Sequence, residues 1–170
     1  MNSLGIEAEP APELRVPQWL ANVDSPAGLK IADISAPIIY LYAFQAWCPG
    51  CHSHGFPALV AVRDGLRKRG VADQLQFIMV QTVFEGHDEN TPEKAISSVE
   101  QHGLGDVPLG HDSGDPPTVM ADYRTGGTPW TVLIGPDRTV LFNGFQIEPL
   151  NAVPALAHII EEDRTNLDPR

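Results

Sequence analysis

Apolar positions along the chain follow two periods. Residues 38–44 read Ile-Ile-Tyr-Leu-Tyr-Ala-Phe, a short unbroken apolar run of strand length, which predicts a strand covered on both faces. Between 51 and 69, Phe56, Leu59, Val62 and Leu66 recur at helical spacing, and Gly70 sits where a helix stops. Pro57 falls inside this helix and should bend it. Leu75, Phe77, Ile78, Met79, Val80 and Val83 predict a second strand over 75–83. Thr91-Pro92-Glu93 has the form of a helix start, with Thr as N-cap and Pro in the first turn, for a helix running to about His102. Residues 107–110 read as a short strand and 112–117 as loop by composition. Thr118 would then cap a short helix through Arg124. Residues 130–134 and 139–145 read as two strands, joined by Gly135-Pro136-Asp137-Arg138 in a turn short enough to make them antiparallel neighbours. The last helix spans about 149–163, with Leu150, Val153, Leu156, Ala157 and Ile160 expected on the core side. Ahead of all these, 29–34 reads as a short strand or a turn, and the proline-bearing segment 7–17 as an extended arm.

Strand, helix, strand, helix, a short strand with a helix, hairpin, helix: this order predicts an α/β fold, a central mixed sheet with helices on both faces. No internal repeat is visible. A length of 170 residues suits one domain of ordinary size. The expected division is a flexible or extended arm over 1–16, one domain over 17–163 and a tail over 164–170.

Composition narrows the function classes. Hydrophobic residues make up 42%, enough for a buried core, and charged residues 19%, too few for a disordered chain. A net charge of -11 argues against nucleic acid as a partner, because phosphate binding needs clustered Lys and Arg. The run Arg67-Lys68-Arg69 reads as a solvated helix end, favoured by the helix dipole. No stretch of 18 apolar residues occurs, so no membrane span is expected. Met1 to Val16 lacks a basic start followed by an apolar run, so it does not read as a secretory signal. The expected compartment is the cytoplasm, where a disulfide is more often catalytic than structural.

The chain has two cysteines, both within Trp47-Cys48-Pro49-Gly50-Cys51, between the first predicted strand and its helix. A C-x-x-C at such a junction has the form of a redox site. The thiolate is the nucleophile in disulfide exchange, and a helix N-terminus favours negative charge. Cys48, at the helix start, is therefore expected to attack. Cys51, about one turn inside, is expected to be less exposed and to resolve the mixed disulfide. Pro49 and Gly50 set the local geometry and tune the redox poise. Three other readings use the same residues: a structural disulfide, haem attachment through Cys48-Pro49-Gly50-Cys51-His52, and a metal site with His52 or His54. Haem attachment would need an exported chain, and a structural zinc site commonly takes a second cysteine pair that this chain lacks. No metal is expected.

The pentapeptide after a buried strand, together with Gly127-Thr128-Pro129 before a hairpin, resembles the thioredoxin superfamily. Within it, the chain resembles the redoxin branch, which includes the alkyl-hydroperoxide-reductase/thiol-specific-antioxidant proteins and the thioredoxins of cytochrome maturation. The resemblance covers roughly residues 29–160 and implies a thioredoxin-like fold. Residues 85–117 resemble that branch's strand-helix insertion between the C-x-x-C helix and the cis-proline. It also implies that Pro129 follows a cis peptide bond and faces Cys48, leaving the Thr128 backbone to pair with a substrate polypeptide as an added strand. Trp47 would flank the sulfurs. Trp130, beside Pro129, would either shape substrate choice or pack in the core.

The resemblance has departures. Thioredoxins carry a buried acid, the proton acceptor, six residues before the first cysteine, where this chain has Tyr42. Cytochrome-maturation relatives carry a glutamate three residues after the second cysteine, where this chain has His54. Either the chain lacks an internal base or His54 supplies one. Pro57 is one residue later than in most relatives. Peroxiredoxins carry a proline and a threonine seven and three positions before the reactive cysteine; here those positions hold Leu41 and Gln45. The expected activity is thiol-disulfide exchange between Cys48-Cys51 and a disulfide-bearing protein or small molecule. A dithiol donor or reductase would reset the pair, and no cofactor beyond the two sulfurs is expected. The alternatives are a thiol-dependent peroxidase and a non-catalytic peptide-binding adaptor using the Thr128-Pro129 groove.

Overall fold

A computed structural model describes residues 4–168. Among these, the strands are β1 (Gln18–Ala21), β2 (Ile38–Phe44), β3 (Leu75–Thr82), β4 (Leu109–Asp112), β5 (Trp130–Ile134) and β6 (Val140–Gly144). The helices are α1 (Phe56–Lys68), α2 (Pro92–Gln101), α3 (Thr118–Tyr123) and α4 (Pro149–Leu167). One mixed sheet runs in the order β1-β4-β3-β2-β5-β6. β2, β3 and β4 are parallel to one another, whereas β1, β5 and β6 pair antiparallel with their neighbours.

Every residue of β2 is buried, because its two faces meet two different cores. Ile38, Tyr40, Tyr42 and Phe44 join a cluster with Phe56, Leu59, Val62 and Leu66 of α1, Ala95 and Val99 of α2, and Leu156, Ala157 and Ile160 of α4. Ile39, Leu41 and Ala43 join the opposite cluster with Ile6, Leu14, Val119, Tyr123, Trp130 and Val132. The two-residue period of a strand makes this division. Helices therefore cover both faces, but unequally: α1, α2 and α4 cover one, and α3 with the N-terminal arm covers the other.

The arm is tied down over the residues described. Ala8 and Ala11 donate backbone N–H to Val140 and Arg138, at 2.9 and 2.8 Å, and Glu9 accepts from Val140 at 2.9 Å. Ile6 and Leu14 are buried. Residues 31–33 form a 3-10 turn rather than a strand.

Several elements differ from the sequence expectation for identifiable reasons. β1 has one residue in four exposed and three half-buried, too weak a pattern to stand out beside the proline-bearing arm. β4 lies two residues later than 107–110. Thr91 caps α2 by accepting from Lys94 N at 3.2 Å, but Thr118 is not a cap. It is the first residue of α3, and the buried Asp112 carboxylate accepts from its backbone N–H at 2.7 Å and its hydroxyl at 2.8 Å. Leu150, expected in the core, is 83% exposed; it sits in the first turn of α4, before the helix reaches the sheet. Among the described residues no helix is long and apolar enough to cross a membrane.

Candidate active site

The site forms where β2 ends and the next helix begins. Pro49 is the first helical residue, a position where its missing N–H costs nothing. Cys48 stands immediately before it, half-buried, and Cys51 is buried one turn in. The two are free thiols. Cys51 N–H donates to Cys48 Sγ at 3.3 Å, so a backbone dipole points at that sulfur. The Cys48 thiol donates to the Thr128 carbonyl at 3.6 Å.

The first turn of the helix is widened. Residues Cys51–Gly55 make a π turn, and Phe56 N–H reaches back to the Cys51 carbonyl. Pro57 has no N–H to give to Ser53, so the ordinary ladder is interrupted at this point. Pro57 thus acts on the turn before it and occupies the first turn of α1. The Tyr42 hydroxyl inserts beneath this turn and donates to the same Cys51 carbonyl at 3.1 Å. A Cβ on Gly55 would lie 2.0 Å from the Tyr42 hydroxyl and 2.8 Å from Pro129 Cβ, so glycine is required for the helix to approach both.

Burial pushes the Cys51 thiol up to about 12, helped by its hydrogen bond with Cys48 and opposed by the Gln45 backbone and Thr128. Tyr42 is raised well above the usual phenol range, first by burial and then by Cys51. The residue in the acid's position is therefore a neutral hydrogen-bonding group. His54, the candidate base, stands apart from Cys51. It is exposed and lines a separate cavity of about 270 Å³ with Gly55, Pro57, Thr131 and Glu148.

The Thr128-Pro129 peptide bond is cis, and Pro129 Cδ lies 3.4 Å from where a Gly50 Cβ would sit. Pro129 therefore faces the C-x-x-C turn. Trp47 is 47% exposed and lines a groove of about 520 Å³ with Cys48, Phe84, Thr128 and Phe145. Trp130 is not at that surface. It is 2% exposed, its Nε1 donates to Asn143 Oδ1, and its ring meets Phe145 edge-on at 4.6 Å. As the first residue of β5 it points into the arm-side core, and it backs the groove through Phe145 and Gly126.

Three groups of residues have places at the site that the sequence did not indicate. Gln45, Gln81 and Asn90 are buried amides that fasten the turn before Cys48. Gln81 Oε1 accepts from Ala46 N at 2.8 Å and Asn90 Oδ1 from Trp47 N at 3.0 Å. His52 and His102 face one another, Nδ1 to Nε2, at 2.9 Å, and His52 Nε2 donates to the Ala46 carbonyl at 2.6 Å. With Nε2 as donor, the neutral His52 ring has Nδ1 as acceptor, so His102 Nε2 carries the proton between them. Desolvation, and then His52, lowers the pKa of His102. Phe145 and Glu85 complete the groove. Single polar residues of this kind carry no spacing signal, and only the fold brings them to Cys48. Among the described residues no group of three or more His, Cys, Asp or Glu could hold a metal ion.

No family model matches the chain, and no curated protein matches it in sequence. Solved structures do match. A crystal structure described as a thioredoxin-like superfamily protein is 30% identical, covering 89% of this chain and 96% of its own, with a TM-score of 0.74. A thiol-disulfide isomerase from Corynebacterium glutamicum is 26% identical over 88% of this chain and 96% of its own, with a TM-score of 0.67. The thioredoxin domain of a thiol-disulfide oxidoreductase from Bacteroides vulgatus shares the fold at 16% identity, over 89% of this chain and 97% of its own, with a TM-score of 0.64.

Proposed function

Since the chain belongs to the thioredoxin-like superfamily, we propose that it is a thiol-disulfide oxidoreductase working through Cys48 and Cys51. One observation carries this reading: a half-exposed Cys48 sulfur beside the Thr128 carbonyl, with a buried second thiol one helical turn away. Similarity to solved thiol-disulfide isomerases supports it.

The Cys48 thiolate attacks one sulfur of a target disulfide. The target S–S bond breaks, a Cys48–target disulfide forms, and the other target sulfur leaves as a thiolate that takes up a proton. Cys51 then loses its proton and attacks Cys48. The mixed disulfide breaks, the second target thiol leaves, and the Cys48–Cys51 disulfide remains. Two electrons have passed to the target. A dithiol donor or a reductase returns them, and the two sulfurs carry the exchange without a metal or an organic cofactor. The backbone of Thr128, beside Pro129, offers a substrate polypeptide hydrogen-bonding groups next to the reacting sulfur.

Insulin reduction tests the reading, with Cys48→Ser as the control. The wild type should accelerate the reaction well above that variant, and equal rates would remove the proposal. Cys51→Ser should instead accumulate covalent mixed disulfides, which a non-catalytic adaptor would not.

A further inference from the structure

The groove beside Cys48 has walls from three segments of chain, tied together by two buried amides. Asn90 is 2% exposed. Its Oδ1 accepts from Trp47 N at 3.0 Å, and its Nδ2 donates to the Glu85 and Gly86 carbonyls at 3.0 and 3.2 Å. Gln45, equally buried, accepts from Phe84 N at 3.3 Å and donates to Thr128 Oγ1 at 3.2 Å. The Trp47-Cys48 turn, the loop 84–90 and the start of the Thr128-Pro129 segment are thus braced against each other. Gly86 has φ +58°, and a Cβ there would lie 3.1 Å from the Trp47 ring. Glycine suits both the left-handed backbone and the close approach of the loop to the indole.

That braced loop brings the charge. Trp47, Phe84 and Phe145 make the groove apolar, and the ionisable side chains lining it are Cys48 and Glu85. Glu85 is exposed. No Lys or Arg is among the lining residues, and the chain as a whole carries -11. A carboxylate lining the same groove as a sulfur that must become a thiolate, with no Lys or Arg among the described lining residues, leaves a place for positive charge.

We propose that the groove selects polypeptide disulfides with a basic side chain beside the reacting cysteine. Glu85 recognises that side chain, and Asn90 is the positioning residue that holds the wall carrying Glu85. This rests on the oxidoreductase reading above. Apolar neighbours of the substrate cysteine would pack on Trp47, Phe84 and Phe145, while a Lys or Arg turned toward Glu85 would neutralise it. An exposed ion pair of this kind is worth a factor of about two to five in affinity, and screening should weaken it at high salt.

The test uses two peptide disulfides that differ only in Lys or Glu beside the cysteine, with hydroxyethyl disulfide as an uncharged reference. In wild type, kcat/KM should favour the Lys peptide by about fivefold at low ionic strength, and the preference should shrink in 1 M salt. Glu85→Lys, an exposed substitution, should reverse the preference. Asn90→Ala should raise KM for the Lys peptide more than it lowers kcat. Equal wild-type rates on the two peptides, or a preference unchanged in Glu85→Lys, would overturn the proposal while turnover of hydroxyethyl disulfide leaves the oxidoreductase reading standing. No turnover of any of the three disulfides would sink both.

Discussion

The Tyr42 hydroxyl and the Cys51 carbonyl are joined by a 3.1 Å hydrogen bond beneath the π turn, and Gly55 is what lets them meet. A methyl group at 55 would be driven into both the phenol and Pro129. Gly55→Ala is therefore expected to cost about 1–3 kcal/mol as an overpacked site, measured by urea unfolding. Tyr42→Phe should cost only about 0.5–1.5 kcal/mol, because the Cys51 carbonyl keeps its bond from Phe56 N. In the double variant the penalties should fall short of their sum, since removing the hydroxyl relieves part of the clash. Strict additivity would mean that Gly55 and Tyr42 do not oppose each other in this way.

Reduced protein should lose stability on the alkaline side through Cys51. Its folded pKa, about 12, lies above the ordinary thiol value of 9.0. The unfolded chain therefore ionises first as pH rises. The stabilising contribution is fully present below about pH 9 and is lost progressively toward pH 12, with a limiting slope of about 1.4 kcal/mol per pH unit. Tyr40, Tyr42 and Tyr123 are also raised by burial, so the informative quantity is a difference. Wild type should fall more steeply than Cys51→Ala between pH 9 and 11 in denaturant titrations under reducing conditions; parallel curves would contradict the burial of this thiol.

Two leucines of α4 should respond in opposite ways. Leu156→Ala removes a 2% exposed side chain from the helix-side core and should cost about 2–5 kcal/mol. Leu150→Ser alters a side chain that meets solvent and should stay within about 0.5 kcal/mol of wild type. Comparable losses at both positions would place the start of α4 against the sheet after all.

The strongly patterned parts of the chain were legible in sequence. β2, β3, α2 and the β5–β6 hairpin lie where unbroken apolar runs, the Thr91-Pro92 start and the short Gly135–Arg138 turn indicate. Elsewhere the placement of a residue depends on the fold around it rather than on local spacing. Thr118 looked like a cap, but Asp112 supplies the acceptor. Leu150 fits the helical period, but the helix starts before it reaches the core. For Trp130, left between shaping substrate choice and packing in the core, the alternation of β5 turns it into the arm-side core. His54, the candidate base, lies exposed on the separate cavity beside Pro57. Cys48 and Cys51 stand in one short motif, whereas Asn90 and Gln45 become site residues only once three segments of backbone converge.

The arm along β6 bears on how the molecule avoids its own copies. An outer strand normally shows its neighbours a row of unpaired peptide groups, an invitation to edge-to-edge aggregation. Here Ala8, Glu9 and Ala11 take up backbone groups of Arg138 and Val140, and the covering segment carries Pro10 and Pro12, which have no N–H to offer. At the opposite margin β1 is four residues long with an irregular register. Both margins are thus poor templates for an intruding strand.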